Sequence, residues 1–174
     1  MIRFLDAYKH NGVEMWGLTV ENEPGAGFNP HFPWNCLGFS PEMERDFVKM
    51  NLGPTLAKAG YGTDRVKLMI QDDQRDNLIE WANVVLTDKD AAKYVSGIAF
   101  HWYHNSKAPV EILDQTHLAH PNYFLLNSEA CHILGGEKLK LGGWNTAESY
   151  AMDIIKVSFI TVLYIFQLSL HHFN

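Results

Sequence analysis

Apolar runs and polar clusters alternate along the chain in a repeating order. Trp16-Gly17-Leu18-Thr19-Val20 leads into Glu21-Asn22-Glu23-Pro24, and Val66-Lys67-Leu68-Met69-Ile70 into Gln71-Asp72-Asp73-Gln74-Arg75. Gly97-Ile98-Ala99-Phe100 leads into His101-Trp102-Tyr103-His104, and Tyr123-Phe124-Leu125-Leu126 into Asn127-Ser128-Glu129-Ala130-Cys131. Short apolar runs bounded by turn residues read as buried strands. The first is expected to run from Val13 to Val20 and to stop at Pro24, because proline cannot extend a central ladder. Between these runs the period is that of helices. Ile2, Leu5 and Tyr8 share one helical face, with Asn11-Gly12 as the stop. Ser40-Pro41-Glu42-Met43-Glu44 opens a helix with serine as cap, proline first and acids in the first turn. It continues through Phe47, Val48 and Leu52 toward Lys58, with Gly60 as its end. Further helices are expected over Leu78 to Val85, Asp88 to Tyr94, Pro109 to His117 and Trp144 to Lys156. Continuous apolar strands alternating with helices imply a parallel sheet with helices on its faces.

In such folds the carboxyl ends of the strands carry the chemistry. Here those ends bear Glu23, Asp72 with Gln74, Tyr103, and Glu129. A carboxylate beside a carboxamide, as in Asn22-Glu23, suits sugar chemistry: the acid protonates a leaving oxygen while the amide holds a neighbouring hydroxyl. The same tetrapeptide also reads as a helix start with acids in its first turn. His101 and His104 with Asp72 and Asp73 have no spacing matched to a metal site, and no metal is expected. There is no Gly-x-Gly-x-x-Gly after the first strand and no Gly-x-Ser-x-Gly elbow. A dinucleotide fold and an α/β-hydrolase are therefore disfavoured.

Composition narrows the partners. A chain of 174 residues, 47% hydrophobic and 20% charged, builds one domain with a real core and is not a disordered segment. A net charge of -6 disfavours duplex nucleic acid. Protonating all 9 histidines would take that charge from -6 to +3, so an acidic compartment would change the surface strongly. The 2 cysteines, Cys36 and Cys131, form no disulfide framework and no zinc spacing. The start of the chain has no signal-peptide apolar region. The loop from Gly25 to Ser40, rich in glycine, proline and aromatic residues, is long enough to be functional.

Several segments together resemble the lysosomal glucosylceramidases, the acid β-glucosidases of glycoside hydrolase family 30. They are Val20-Glu21-Asn22-Glu23-Pro24, Cys36-Leu37-Gly38-Phe39, Leu52-Gly53-Pro54-Thr55-Leu56-Ala57, Asp72-Asp73-Gln74-Arg75, Val84-Val85-Leu86-Thr87-Asp88, His101-Trp102-Tyr103 and Ser128-Glu129-Ala130-Cys131. The similarity runs from about Phe4 to about Ile155 in the family's order and spacing. It implies an α/β fold that is a partial (β/α)8 TIM barrel, covering about strands four to seven with their helices. It also implies a retaining β-glucosidase acting on glucosylceramide without a cofactor. Glu23 is similar to the general acid/base, Glu129 to the nucleophile, and Asn22 to the amide that meets the sugar hydroxyl. Tyr103 matches a tyrosine beside the nucleophile, and Gln74 a loop residue at the site mouth. Trp34 stands where the family has an aromatic rim residue, usually phenylalanine. His101 and Trp102 are read either as part of the site or as packing beneath it. The implied setting is a lysosomal membrane surface with an activator protein.

The resemblance lacks two parts. The family's first three strands have no counterpart, and after about Lys156 an apolar run from Val157 to Leu168 replaces the expected eighth strand. The expected organisation is thus a partial catalytic barrel over 1–156 and a divergent apolar tail over 157–174, with a buried extension of the last helix as the other reading of the tail. The alternatives in function are an inactive fragment that binds glycolipid or protein, and another family 30-like barrel glycosidase such as an endoglycanase. The chain alone is expected to be inactive.

Overall fold

The computed structural model describes residues 1–33, 35–132 and 142–158, together with the backbone of 162–164. Strands β1 (Gly17–Thr19), β2 (Lys67–Gln74), β3 (Gly97–His101), β4 (Phe124–Glu129) and β5 (Val162–Tyr164) form one sheet in sequence order, and every neighbouring pair is parallel. Helices α1 (Ile2–His10), α2 (Pro41–Phe47), α3 (Gly53–Lys58), α4 (Leu78–Leu86), α5 (Lys89–Ala92), α6 (Glu111–Ala119) and α7 (Trp144–Ser158) lie between and around the strands. Sequential parallel strands joined by helical crossovers are the unit of a β/α barrel.

Alternation along the strands sorts their side chains onto two faces. Leu68, Ile70, Ile98, Phe100 and Leu125 pack with Leu78, Trp81, Val85 and Leu113 of α4 and α6 into the main core. Met69, Ala99 and Leu126 point the other way and form a small cluster of their own with Phe124. Both faces of the central strands are therefore covered, which is why each run is apolar without alternation in sequence.

The expected helices are present, with ends moved by a few residues. Ser40 caps α2 by accepting the Met43 N–H at 3.2 Å. A π-helical turn, Val48–Leu52, joins α2 to α3. Two strand expectations need correction. The first strand is shorter than Val13 to Val20 and only half-buried, and Trp16 is 48% exposed with its ring 5.5 Å from Phe124. The reason is position: among the described residues β1 pairs with β2 alone. In contrast, β2 runs on through the polar cluster to Gln74. Within the region read as a tail, Val157–Ser158 closes α7 and Val162–Tyr164 pairs with β4 as the fifth strand. The rest of that tail lies outside the described residues.

Candidate active site

The carboxyl ends of the strands converge on one point. Side chains there must first leave the regular strand, and the backbone departs from it in three places. Glu23, Gln71 and Asp72 are the non-glycine residues with positive φ among the described residues, at 48°, 73° and 48°. Each such conformation costs on the order of 1–3 kcal/mol and persists where its surroundings enforce it. In β2 the pairing with β3 skips one residue between Gln71 and Asp73. This bulge turns Asp72 toward the strand ends. A second skip sets His101 opposite Glu129 rather than Ser128. The Asp72 carbonyl accepts the Glu23 N–H at 2.9 Å, so the bulge also seats the backbone of Glu23. Asp73 steadies the next loop by accepting the Gly25 N–H at 3.0 Å. Any side chain at Gly25 would press on that carboxylate, since a Cβ there would lie 2.9 Å from Asp73 Oδ2.

His101 is the hub. It is fully buried, with Nδ1 3.0 Å from Glu23 Oε1 and Nε2 3.2 Å from Asp72 Oδ1 and 3.8 Å from Glu129 Oε2. Burial works against its charge, but the hydrogen bonds to Asp72 and Glu23 and the nearby Glu129 outweigh it and raise its pKa to about 10. The ring is thus an imidazolium that donates to Glu23 and Asp72. Ser128 also donates to Asp72 Oδ1, at 2.6 Å. Gln74 Nε2 donates to Glu23 Oε1 at 2.9 Å. Tyr103 donates its hydroxyl to Glu129 Oε1 at 2.7 Å. Burial, then this bond to Glu129, raises the Tyr103 pKa, so the phenol keeps its proton. One oxygen of Glu23, one of Glu129 and a ring nitrogen of His101 all lie within 4.8 Å of one another. These are metal-ligand types, and here each makes hydrogen bonds to protein: Glu23 Oε1 with His101 and Gln74, His101 Nε2 with Asp72, and Glu129 Oε1 with Tyr103.

Of the residues singled out in sequence, Glu23, Glu129, Gln74 and Tyr103 come together. Asn22 is exposed beside Glu23. Gln74 is not at a loop mouth: it ends β2 and is buried, because the strand continues through the bulge. Trp102 is half-exposed and stacks on Tyr150 of α7 at 4.8 Å, while its Nε1 donates to the Cys131 carbonyl at 3.3 Å. His104 pairs with Asp76 at 3.0 Å, apart from the cluster it was grouped with. Trp34 lies outside the described residues.

Two buried groups escaped the sequence reading. Arg75 is 5% exposed and donates to the carbonyls of Ala108 at 2.9 Å and Asn105 at 3.2 Å, tying down the loop after Tyr103. Glu44, read only as one of the acids in the first turn of its helix, is 1% exposed. Its spacing held the signal, since Glu44, Val48 and Leu52 fall on one helical face and all three are buried.

The chain is 46% identical over 157 residues to the lysosomal acid glucosylceramidase of Mus musculus, covering 88% of this chain and 30% of that protein. It is 27% identical over 151 residues to an endo-1,6-beta-D-glucanase of Neurospora crassa, covering 87% of this chain and 28% of that protein. Among solved structures, SrfJ from Salmonella typhimurium superposes with a TM-score of 0.77 at 27% identity, over 94% of this chain and 34% of that one. The chain thus spans under a third of the length of these two relatives. The glycosyl hydrolase family 30 TIM-barrel domain matches residues 1–165, which take in all five strands and the convergent carboxylates, and the chain belongs to that family.

Proposed function

We propose that this chain carries the catalytic centre of a retaining β-glucosidase that cleaves glucosylceramide into glucose and ceramide. The observation that carries the reading is the approach of Glu23 and Glu129, whose carboxylate oxygens lie with His101 within 4.8 Å of one another. Retaining enzymes hold their two carboxyl groups about 5–5.5 Å apart, whereas inverting enzymes leave about 6.5–9.5 Å for a water. Glu129 attacks the anomeric carbon as a carboxylate, and Tyr103 holds its Oε1 in place. Glu23 gives its proton to the glycosidic oxygen, the ceramide leaves, and a glucosyl ester to Glu129 remains. Glu23 then takes a proton from water, which attacks the anomeric carbon, breaks its bond to the Glu129 oxygen and frees both glucose and the Glu129 carboxylate. Gln74 and His101 both donate to Glu23 Oε1, so the transferable proton belongs on Oε2. Asn22 beside Glu23 holds the hydroxyl next to the anomeric carbon. Greater similarity to the mouse glucosylceramidase than to the fungal glucanase favours a glucolipid over a glucan. A lysosomal membrane surface, reached with an activator protein, is the setting that this substrate implies.

The test is covalent trapping in a whole barrel carrying this sequence, using a cyclophellitol-type epoxide or a 2-fluoroglucoside. Peptide mapping is expected to find the adduct on Glu129. An adduct on Glu21 or Asp73 overturns the assignment, and no adduct at all in the whole barrel overturns the proposed hydrolysis and favours a site that binds glycolipid without cleaving it.

A further inference from the structure

The carboxyl of Glu44 reaches the sheet from α2 and touches two donors. Gln71 N–H donates to Oε1 at 3.2 Å, and Trp81 Nε1 of α4 donates to Oε2. Gln71 is the first residue of the β2 bulge, the point where the pairing with β3 skips. A backbone N–H turned out of a ladder and buried needs another acceptor, and Glu44 supplies it. The next residue, Asp72, holds His101 with its side chain and Glu23 with its carbonyl. We propose that Glu44 is a positioning residue for the acidic cluster: by gripping the Gln71 N–H from the helix side, it fixes the bulge that aims Asp72 at His101 and seats Glu23. Glu44 touches neither carboxylate of the proposed working pair. Its effect on hydrolysis rests on that proposed function, but its effect on Asp72 and His101 does not.

The groups that face Glu44 explain the form it acts in. Burial pushes its pKa up to about 8, the Trp81 and Gln71 hydrogen bonds oppose the rise, and the charges of Asp72 on β2 and of Glu21 beyond β1 add to it. The gripping group is therefore a neutral carboxyl over the acidic range, and glutamine keeps its shape and one acceptor oxygen, which the Gln71 N–H can use.

The experiment follows the His101 ring nitrogens by NMR in the 174-residue chain and in its Glu44→Gln and Glu44→Leu variants. We expect His101 to titrate alike in the wild type and Glu44→Gln, and about one pH unit or more lower in Glu44→Leu, where Asp72 is no longer aimed. A role confined to stability would lower the unfolding midpoint of Glu44→Leu and leave the His101 titration unmoved, which overturns the proposal. Should Glu44→Leu not fold, the wild type supplies the answer. Its Gln71 amide is expected to be protected from hydrogen exchange and to shift with the Glu44 carboxyl carbon as that group titrates, and an unprotected or unresponsive amide overturns the proposal. In a whole barrel, Glu44→Leu is expected to lower kcat about tenfold or more with a smaller change in KM, and Glu44→Gln to restore it. Absence of any glucosidase activity in the wild-type barrel would reject the proposed function while leaving the His101 result to stand.

Discussion

Glu23, at φ 48° and seated by the Asp72 carbonyl, has one oxygen taken by Gln74 and His101 and the other available to a leaving group. In a whole barrel, Glu23→Gln is expected to slow substrates with poor leaving groups far more than activated aryl glucosides, which need little protonation. Added azide should then restore turnover as β-glucosyl azide, and equal losses without rescue would make Glu23 structural. Tyr103→Phe removes the hydroxyl held 2.7 Å from Glu129 and is expected to cost about 10- to 100-fold in kcat/KM, with the fold unchanged by circular dichroism. The charge on His101 makes a pH prediction with a definite sign. Its pKa is raised from 6.5 to about 10, so its contribution to stability is full below the lower value and is lost as pH rises through the upper one. Glu44, raised from 4.5 to about 8, acts in the same direction over an earlier window. Thermal unfolding is thus expected to be most favourable to the folded state in acid and to weaken from about pH 5 to about pH 10. Glu44→Gln should remove the earlier part of that decline, and a midpoint that rises over this range would contradict both assignments. The chemical residue types were visible in sequence because they stand at strand ends. Glu44 was not read as part of the site because a helix start is ordinarily solvated, and its apolar neighbours four and eight positions on were the overlooked sign.

At the level of elements, the helical pieces follow local rules closely. Ser40, Pro41 and the acids after it start α2 where the capping pattern predicts, and Gly60 at φ 81° ends the helical stretch. The π-helical turn between α2 and α3 was not legible, because it answers to a tertiary contact. Gly53 follows that turn, and any Cβ there would collide with the ring of Tyr94 and with the Val48 carbonyl. Gly53→Ala is therefore expected to destabilise the chain by about 1–3 kcal/mol through overpacking, read as a lower denaturation midpoint. An unchanged midpoint would mean that the Tyr94 ring moves aside freely. Strand lengths were less predictable than helix ends. β2 was expected to stop where its residues turn polar, yet it continues to Gln74 because both the bulge and the ladder have partners there. β1 is shorter for the opposite reason, having among the described residues a neighbour on one side alone.

Across the whole molecule, the decisive feature is curvature. Three steps between flat neighbouring strands span about 14 Å, the distance that would separate the ends of β1 and β4. Oxygens of Glu23 and Glu129, carried at those two ends, instead lie within 4.8 Å together with His101. Side-chain reach shortens such a gap, and the curl of a barrel wall closes it. Among the described residues the five strands make an open sheet with β1 and β5 at its edges. The 174-residue chain alone is accordingly expected to show no β-glucosidase activity above its Glu129→Gln blank and to bind ANS through uncovered apolar surface. An active monomer would show that five strands suffice. The alternation of apolar runs and helical spacings determined the parallel α/β class, because each element must bury its own apolar side whatever its neighbours are. The polar tips likewise marked the edge where the acids gather, and the motif order marked the family. Tertiary structure alone decided that His101 holds three acids together, that Asp72 turns inward through a bulge, and that Glu44 is sealed beneath it. Those outcomes depend on strand register and on which face packs against which helix, and register is a relation between distant segments that no single run of residues contains.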